Sequence, residues 1–396
     1  MVFERVQVNG TTRYFSLALC MFLLSYVLGP SAKLTNTIFY ALIALPGGFF
    51  MLKAAGRELV KEPLVIGWLV FLAWFLLPAM IAGSWQFYKH ILYTLLFVLV
   101  VAALTDPVLF RRQQFVRAQF WILCGYIYLS AFYNWSSGHY LPGNRLALLP
   151  SRLDNVVYTS VWLVSALGLG MPAWAQGKRW LEGVAAVLLA VVAVAFVLQT
   201  RTALVGGAFL LSLWLLHGLR HKPTLTARAL LAAAGVGALV LALIYQQSWW
   251  HSLWARGDSY RGEILRIMLG EWQNCGWLLG CGKGFHTTAL LAGSMPIMHP
   301  HNIFVALGVY TGAPALVLFI ALMAATLLYA WRFRDAWGVF LACSLVMLNF
   351  DGSLIIGNPD ELWPLVLLPA AMVLGGVLCR SNGRHRLAGK TIGQLA

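Results

Sequence analysis

Residues 63–83 read PLVIGWLVFLAWFLLPAMIAG, a stretch without a single charged side chain. About 20 such residues in a helix cross the hydrocarbon core of a bilayer. The apolar residues run continuously instead of alternating at period two, so the stretch predicts a membrane-spanning helix and not a barrel strand. Working outward from it, comparable runs lie near 14–30, 35–52, 90–105, 114–132, 155–174, 180–199, 202–219, 227–246, 312–331, 336–350 and 362–379. Those near 90–105 and 336–350 are short. Together they predict an all-α integral membrane protein with about 12 transmembrane helices. Composition agrees: 60% of residues are hydrophobic and 10% charged, against roughly 25% charged in soluble domains. No soluble domain, repeat or low-complexity tract interrupts the pattern, so residues 1–396 read as one membrane domain. The first run is followed directly by a second, and it reads as a retained helix, not a cleaved signal.

The formal charge is +15. The basic residues are dispersed between apolar runs instead of gathered on one domain, which argues against nucleic acid as a partner. Topology accounts for most of them. With the N-terminus in the cytoplasm, 19 of the 28 Lys and Arg fall on the cytoplasmic side and 9 outside, as the positive-inside rule requires. Residues 380–396 then form a basic cytoplasmic tail. None of the six cysteines forms a CxxC pair, so finger-type metal and redox motifs are absent. Cys275 and Cys281 share one outer loop, and their spacing leaves their pairing open.

The outer basic residues are the ones that topology does not explain. Two outer loops are long, about 133–155 and 247–300, the second lying between spans 9 and 10. It is rich in tryptophan, and Arg261 to Trp272 looks amphipathic. Ile264, Leu265, Ile267, Met268 and Trp272 suit a helix lying at the membrane surface. Arg201, in QTRTA, sits between two apolar runs with almost no loop. A charge there is costly unless it is hydrated or paired, so it reads either as a snorkelling arginine or as an anion ligand. Arg261 starts the amphipathic stretch, where a guanidinium fork and unpaired helix amides both suit phosphate oxygens. In HPHNIF, His301 lies where the long loop re-enters an apolar segment, a position suited to a base titrating near neutral pH. The His299-Pro300-His301 pair lacks a carboxylate at useful linear spacing, so no metal site is expected. The turn Gly280-Cys281-Gly282-Lys283-Gly284 lacks the Gly-Lys-Ser/Thr of a phosphate loop and reads as a plain tight turn. Arg145, Arg266, Asn302 and Asp351 are weaker candidates for binding diphosphate or sugar. Asp351 suits three tasks: orienting His301, binding sugar, or pairing an arginine.

Arg201 in Thr-Arg-Thr-Ala, Arg261 in Ser-Tyr-Arg, the Gly280-x-Gly282-x-Gly284 turn, His301-Asn302 and Gly312 eleven residues after the histidine occur in a characteristic order. In that order and spacing the chain resembles the O-antigen ligase and polymerase superfamily. The motifs cover roughly residues 185–330, and the span count covers the whole chain. The ligase of lipopolysaccharide assembly fits best, with an O-antigen polymerase or related oligosaccharyltransferase as the alternative. Ile264 and Tyr310 depart from the family pattern, which often has an aromatic and an acidic residue there. A transporter or flippase is disfavoured because the charged groups gather at one face and not at mid-membrane. The resemblance implies a GT-C-like bundle in the bacterial inner membrane, with the active site facing the periplasm beneath a large periplasmic loop. It implies transfer of a glycan from undecaprenyl diphosphate to a sugar hydroxyl of lipid A–core oligosaccharide. It further implies inversion at the anomeric carbon, and neither metal nor other cofactor. In that scheme Arg201 and Arg261 grip the diphosphate and His301 activates the hydroxyl.

Overall fold

The structure, a computed structural model, describes residues 9–54, 59–81, 83, 85–141, 144–175, 179–221, 260–291 and 294–393. The described residues form ten helices long and apolar enough to cross a membrane, so the chain is a multi-pass membrane protein. They are α1 (Gly10–Leu28), α2 (Ala32–Leu52), α3 (Pro63–Ile81), α4 (Trp85–Leu104), α5 (Gln113–Ser136), α6 (Val156–Trp174), α7 (Trp180–Val197), α8 (Arg201–Arg220), α10 (Ile303–Phe333) and α12 (Trp363–Arg380). A shorter apolar helix, α11 (Trp337–Leu348), and an amphipathic one, α9 (Arg261–Cys275), complete the set. The span expected near 227–246 and the first part of the loop expected at 247–300 lie outside the described residues. Beyond Arg380 the helical backbone continues to Gly393. The predominantly helical reading stands, with one small departure: Leu290–Leu291 and Met295–Pro296 pair as a two-residue antiparallel hairpin.

Local chemistry sets the helix starts. Asn9, Ser31, Asn155 and Asn302 cap α1, α2, α6 and α10 through side-chain oxygens that accept from backbone amides, and Pro63 opens α3 where its missing N–H costs nothing. Helix α12 is 89% buried over its apolar window and α6 78%, against 22% for α8, so α6 and α12 form the centre of the bundle. Around them α6 packs on α5, α8 and α11, α12 on α4 and α11, and α10 on α3. Lipid offers no hydrophobic drive for helix association, so close approach and polar ties matter. Gly168 of α6 lies against Leu210 of α8 and Val339 of α11, and Ser165 shares a buried 2.9 Å hydrogen bond with Ser344.

One span differs from expectation. The tenth was expected to open at Gly312; instead α10 begins nine residues earlier, at Ile303, and Gly312 is a break inside it, with φ 88° and ψ 168°. The apolar stretch 303–311 is thus part of the helix. A break frees backbone groups that must find partners, and the segment after α9 supplies them. The Ala313 amide donates to the Trp277 carbonyl at 2.8 Å, and the Val309 carbonyl accepts from the Cys281 amide at 2.6 Å. The indole of Trp74 in α3 donates to the Thr311 carbonyl at 2.9 Å. The glycine turn is therefore a filler for a broken helix. A Cβ at Gly280 would meet the carbonyls of Val309 and Gly308. Cys275 and Cys281, left open by spacing, are joined as a disulfide across this segment.

Candidate active site

The amphipathic reading of α9 holds, but its apolar face meets protein. Ile264, Met268 and Trp272 are buried with Ala306, Val309 and Tyr310 of α10, and Trp272 lies over Gly308, where any side chain would collide with the indole. Leu265 is exposed and Ile267 is only partly covered. This packing sets the N-terminus of α9 beside that of α10.

Three left-handed residues mark the starts of the helices that carry the main candidates. Gln199 (φ 50°) precedes Arg201 at the start of α8, Tyr260 (φ 61°) precedes Arg261 at the start of α9, and His301 itself (φ 51°) precedes α10. Non-glycine residues in this region carry strain that the surroundings must hold, and such residues gather at functional sites. A π-helical turn at Ala193–Val197 ends α7 just before the Arg201 turn, a distortion also frequent at functional sites.

The starts of α9 and α10 meet at Asp351. Its Oδ1 accepts from His301 Nδ1 at 3.2 Å, and its Oδ2 lies 4.0 Å from Arg261 Nη2. Arg261 Nη1 in turn donates to Thr202 Oγ1 at 3.2 Å, so the α9 start lies against the residue following Arg201. Asp351 is 9% exposed, whereas His301 and Arg261 are 35% and 32% exposed: the carboxylate sits underneath, and the two cationic or basic groups reach outward. Burial would raise the Asp351 carboxyl. The hydrogen bond and charge of His301, with the Gly352 amide, outweigh it and hold the group below the usual carboxylate range. Donation of Nδ1–H to Asp351 leaves His301 Nε2 as the acceptor nitrogen.

The remaining predicted residues divide. Leu146 donates its amide to the Val197 carbonyl at 3.0 Å, which brings exposed Arg145 to the end of α7, near the Arg201 turn. Asn302 is engaged within the protein: its oxygen caps Phe304 and Val305, and its Nδ2 donates to the carbonyl and side chain of Asn349. Asn302 thus ties α10 to the strand of chain that carries Asp351. Arg266 is exposed on the side of α9 away from its buried face and forms no ion pair among the described residues. The carboxylate that linear spacing denied to the histidine pair is supplied by the fold: ligand atoms of His299, His301 and Asp351 lie within 4.8 Å of one another, a set able to hold a divalent cation. Sequence reasoning missed Thr202 as the partner of Arg261. It also did not pair Glu361 with Arg152, which the fold brings to 3.0 Å.

The arrangement can therefore hold an anion at two helix starts, through Arg201 and Arg261, next to an oriented imidazole that can take a proton.

No family model matches the chain. It is similar to the O-antigen ligase of Pseudomonas aeruginosa, 27% identical over 357 residues that span 85% of this chain and 84% of the relative. That similarity extends over most of the chain, beyond the motif region alone.

Proposed function

We propose that this protein is a glycosyltransferase that ligates O-antigen to lipid A–core oligosaccharide. The donor is a polysaccharide on undecaprenyl diphosphate, the acceptor a sugar hydroxyl, and the site faces the periplasm. The observation that carries this reading is Asp351, which holds His301 at 3.2 Å and Arg261 at 4.0 Å in one cluster.

In the proposed step the acceptor hydroxyl oxygen attacks the anomeric carbon. Its proton passes to His301 Nε2, the bond from the anomeric carbon to the phosphate oxygen breaks, and the electron pair leaves with the diphosphate. A single displacement inverts the anomer. Arg201 and Arg261 stabilise the charge that develops on the leaving group, with amides at the starts of α8 and α9 adding to the field. Asp351 holds the imidazole in the tautomer that accepts the proton. Residues 380–396 lie in the cytoplasm, and the step requires no metal.

The test is transfer by purified protein in detergent with EDTA, using the lipid-linked donor and lipid A–core acceptor. A banded high-mass lipopolysaccharide is expected, and Arg201→Ala, Arg261→Ala and His301→Ala should each reduce it by about 10²-fold or more. A longer carrier-linked glycan in its place would identify a polymerase. Dependence on an added divalent cation would overturn the metal-free step, and absence of either product from folded protein would overturn the proposal.

A further inference from the structure

The segment 349–362 runs along the outer ends of the helices, and the candidate site uses only its first part. At its other end, Asn358 Oδ1 receives two hydrogen bonds. One comes from Tyr40 Oη in α2 at 3.1 Å and one from His90 Nε2 in α4 at 3.1 Å. His90 Nδ1 lies 2.5 Å from Lys283 Nζ. With the lysine charged, one proton arrangement satisfies every partner. Lysine donates to Nδ1, Nε2–H donates to Asn358, and the imidazole is neutral. Lys283 is thereby fixed by groups from α2, α4 and the 349–362 segment, which is more order than a solvated loop lysine requires.

Its charge is not answered. Neither Lys283 nor Lys89, the residue preceding His90, has a carboxylate within 4.0 Å among the described residues. Each instead lies near a ring: Lys283 Nζ is 5.0 Å from the centroid of Phe87, and Lys89 Nζ is 5.9 Å from that of Tyr93. Burial, together with the nearby charge of Lys89, pushes Lys283 down to about 8, against the opposing pull of Asp360. Asp360 is itself pushed up to about 8, by burial and by Glu361 beside it. Near neutral pH it therefore offers little negative charge to the lysine. Two neighbouring cations, one of them half-buried and held in place, carry a repulsion that a bound anion would relieve.

We propose that Lys283 and Lys89 form a second anion-binding subsite, held in place by the His90–Asn358–Tyr40 chain, which takes a phosphate or carboxylate carried by a lipid-linked saccharide. It is distinct from the arginine cluster. Different helices present it, and it lies at the other end of the segment that carries Asp351. The inference rests on the glycosyltransferase reading, since a reaction between two lipid-linked saccharides has two anionic partners to place and one arginine cluster to place them with. The glycine turn thus has two tasks: its backbone fills the break in α10, and its lysine faces the ligand.

The test compares the full-length protein with Lys283→Ala, Lys89→Ala/Lys283→Ala and Lys283→Arg. Two quantities are read: KM and kcat with each substrate varied in turn, and the equilibrium Kd of each substrate alone. A charge-assisted hydrogen bond lost from a binding site weakens binding by about tenfold to a hundredfold. That rise is expected in KM and Kd for one substrate only, with the loss falling on KM and not on kcat, and with Lys283→Arg restoring binding. A donor-specific rise assigns the subsite to the carrier diphosphate. An acceptor-specific rise that disappears when the acceptor is stripped of phosphate assigns it to an acceptor phosphate, and one that persists assigns it to a carboxylate. Because burial pushes Lys283 down to about 8 and its ligand needs the charged form, wild-type Kd should weaken between pH 7 and pH 9 by more than that of Lys283→Arg, in which only the ionisation of Asp360 acts. His90, Lys89 and Asp360 face the same group and are unchanged in that comparison. Unaltered Kd for both substrates would overturn the subsite. So would equal losses for both accompanied by a lowered Tm, which would indicate a structural role. Because Kd is measured without turnover, a protein that transfers nothing but shows the lysine-dependent Kd would sink the catalytic reading and leave the subsite standing.

Discussion

The amide of Ala313 donates to the carbonyl of Trp277 at 2.8 Å, so a membrane helix completes its hydrogen bonding with a loop 36 residues earlier in the chain. In an unbroken helix that amide would bond to Val309. Here Val309 accepts from Cys281 instead. The exchange positions both the glycine turn and the first half of α10, which follows His301.

Gly312→Ala tests the exchange directly. At φ 88° a Cβ would run into the Leu278 carbonyl and lie 3.0 Å from the Leu279 Cα, so the loop must move or the helix must re-form. The expected cost is about 1–3 kcal/mol, read as a lower Tm in detergent and faster proteolysis within 276–300. Unchanged melting and cleavage would show that the loop does not depend on the break.

The disulfide between Cys275 and Cys281 closes a loop with a sequence separation of 6. Closing so short a loop contributes only about 2 kcal/mol by the chain-entropy estimate. Cys275→Ser and Cys281→Ser are expected to lower transfer more than they lower the Tm of the bundle, because the loop they clamp fills the α10 break. Reducing agent should reproduce the effect in the wild type and add nothing in the variants; additive losses would contradict this.

His301→Ala should lower kcat by about 10²–10⁴-fold, the usual contribution of a positioned proton acceptor. Asp351→Asn keeps the shape but loses the charge that holds His301 and Arg261. It should lower kcat by less than His301→Ala. In the double variant little further loss is expected, because residues acting as a unit are not additive. Independent, multiplying losses would separate Asp351 from the imidazole and assign it to sugar or arginine binding alone.

Asp360 gives a pH signature. Burial and Glu361 push its carboxyl up to about 8, although Arg152 and the amides of Leu362 and Trp363 pull the other way. An unfolded aspartate titrates near 3.9. Folding therefore favours the protonated form, and its contribution to stability is lost as pH rises from about 4 to about 8. Asp360→Asn removes the ionisable group while keeping an oxygen for the Leu362 amide, which the aspartate now accepts at 3.0 Å. The Tm difference between variant and wild type should grow from pH 5 to pH 8 and then level off; a constant difference across that range would rule out a titrating Asp360.

Several candidates for the site were legible before its geometry. Arg201, Arg261 and His301 stood out because each places a polar group at the edge of an apolar run, where its cost demands a reason. His90 also lies near a span end, but its partners Asn358 and Lys283 are 268 and 193 residues away in the chain, so its sequence neighbourhood does not mark it. Asn302 was read as a ligand because its neighbour was, whereas an asparagine before an apolar run is more simply a helix cap. The start of α10 was misplaced because glycine and proline within an apolar run suggest a boundary. In this fold they mark a break whose freed backbone groups another segment satisfies.

The sequence by itself determined that the chain spans a membrane many times, and it singled out the polar residues at the edges of apolar runs that are candidates for gripping an anion or taking a proton. Those properties are local: they depend on residue type, run length and the cost of a charge in lipid. Only the tertiary structure decided that Asp351 joins His301 to Arg261, that Thr202 meets Arg261, and that Lys283 reaches His90 and, through it, Asn358. Each of these contacts joins segments tens to hundreds of residues apart. The order of helices along the chain does not state which ends will meet, and packing around the buried α6 and α12 settles it.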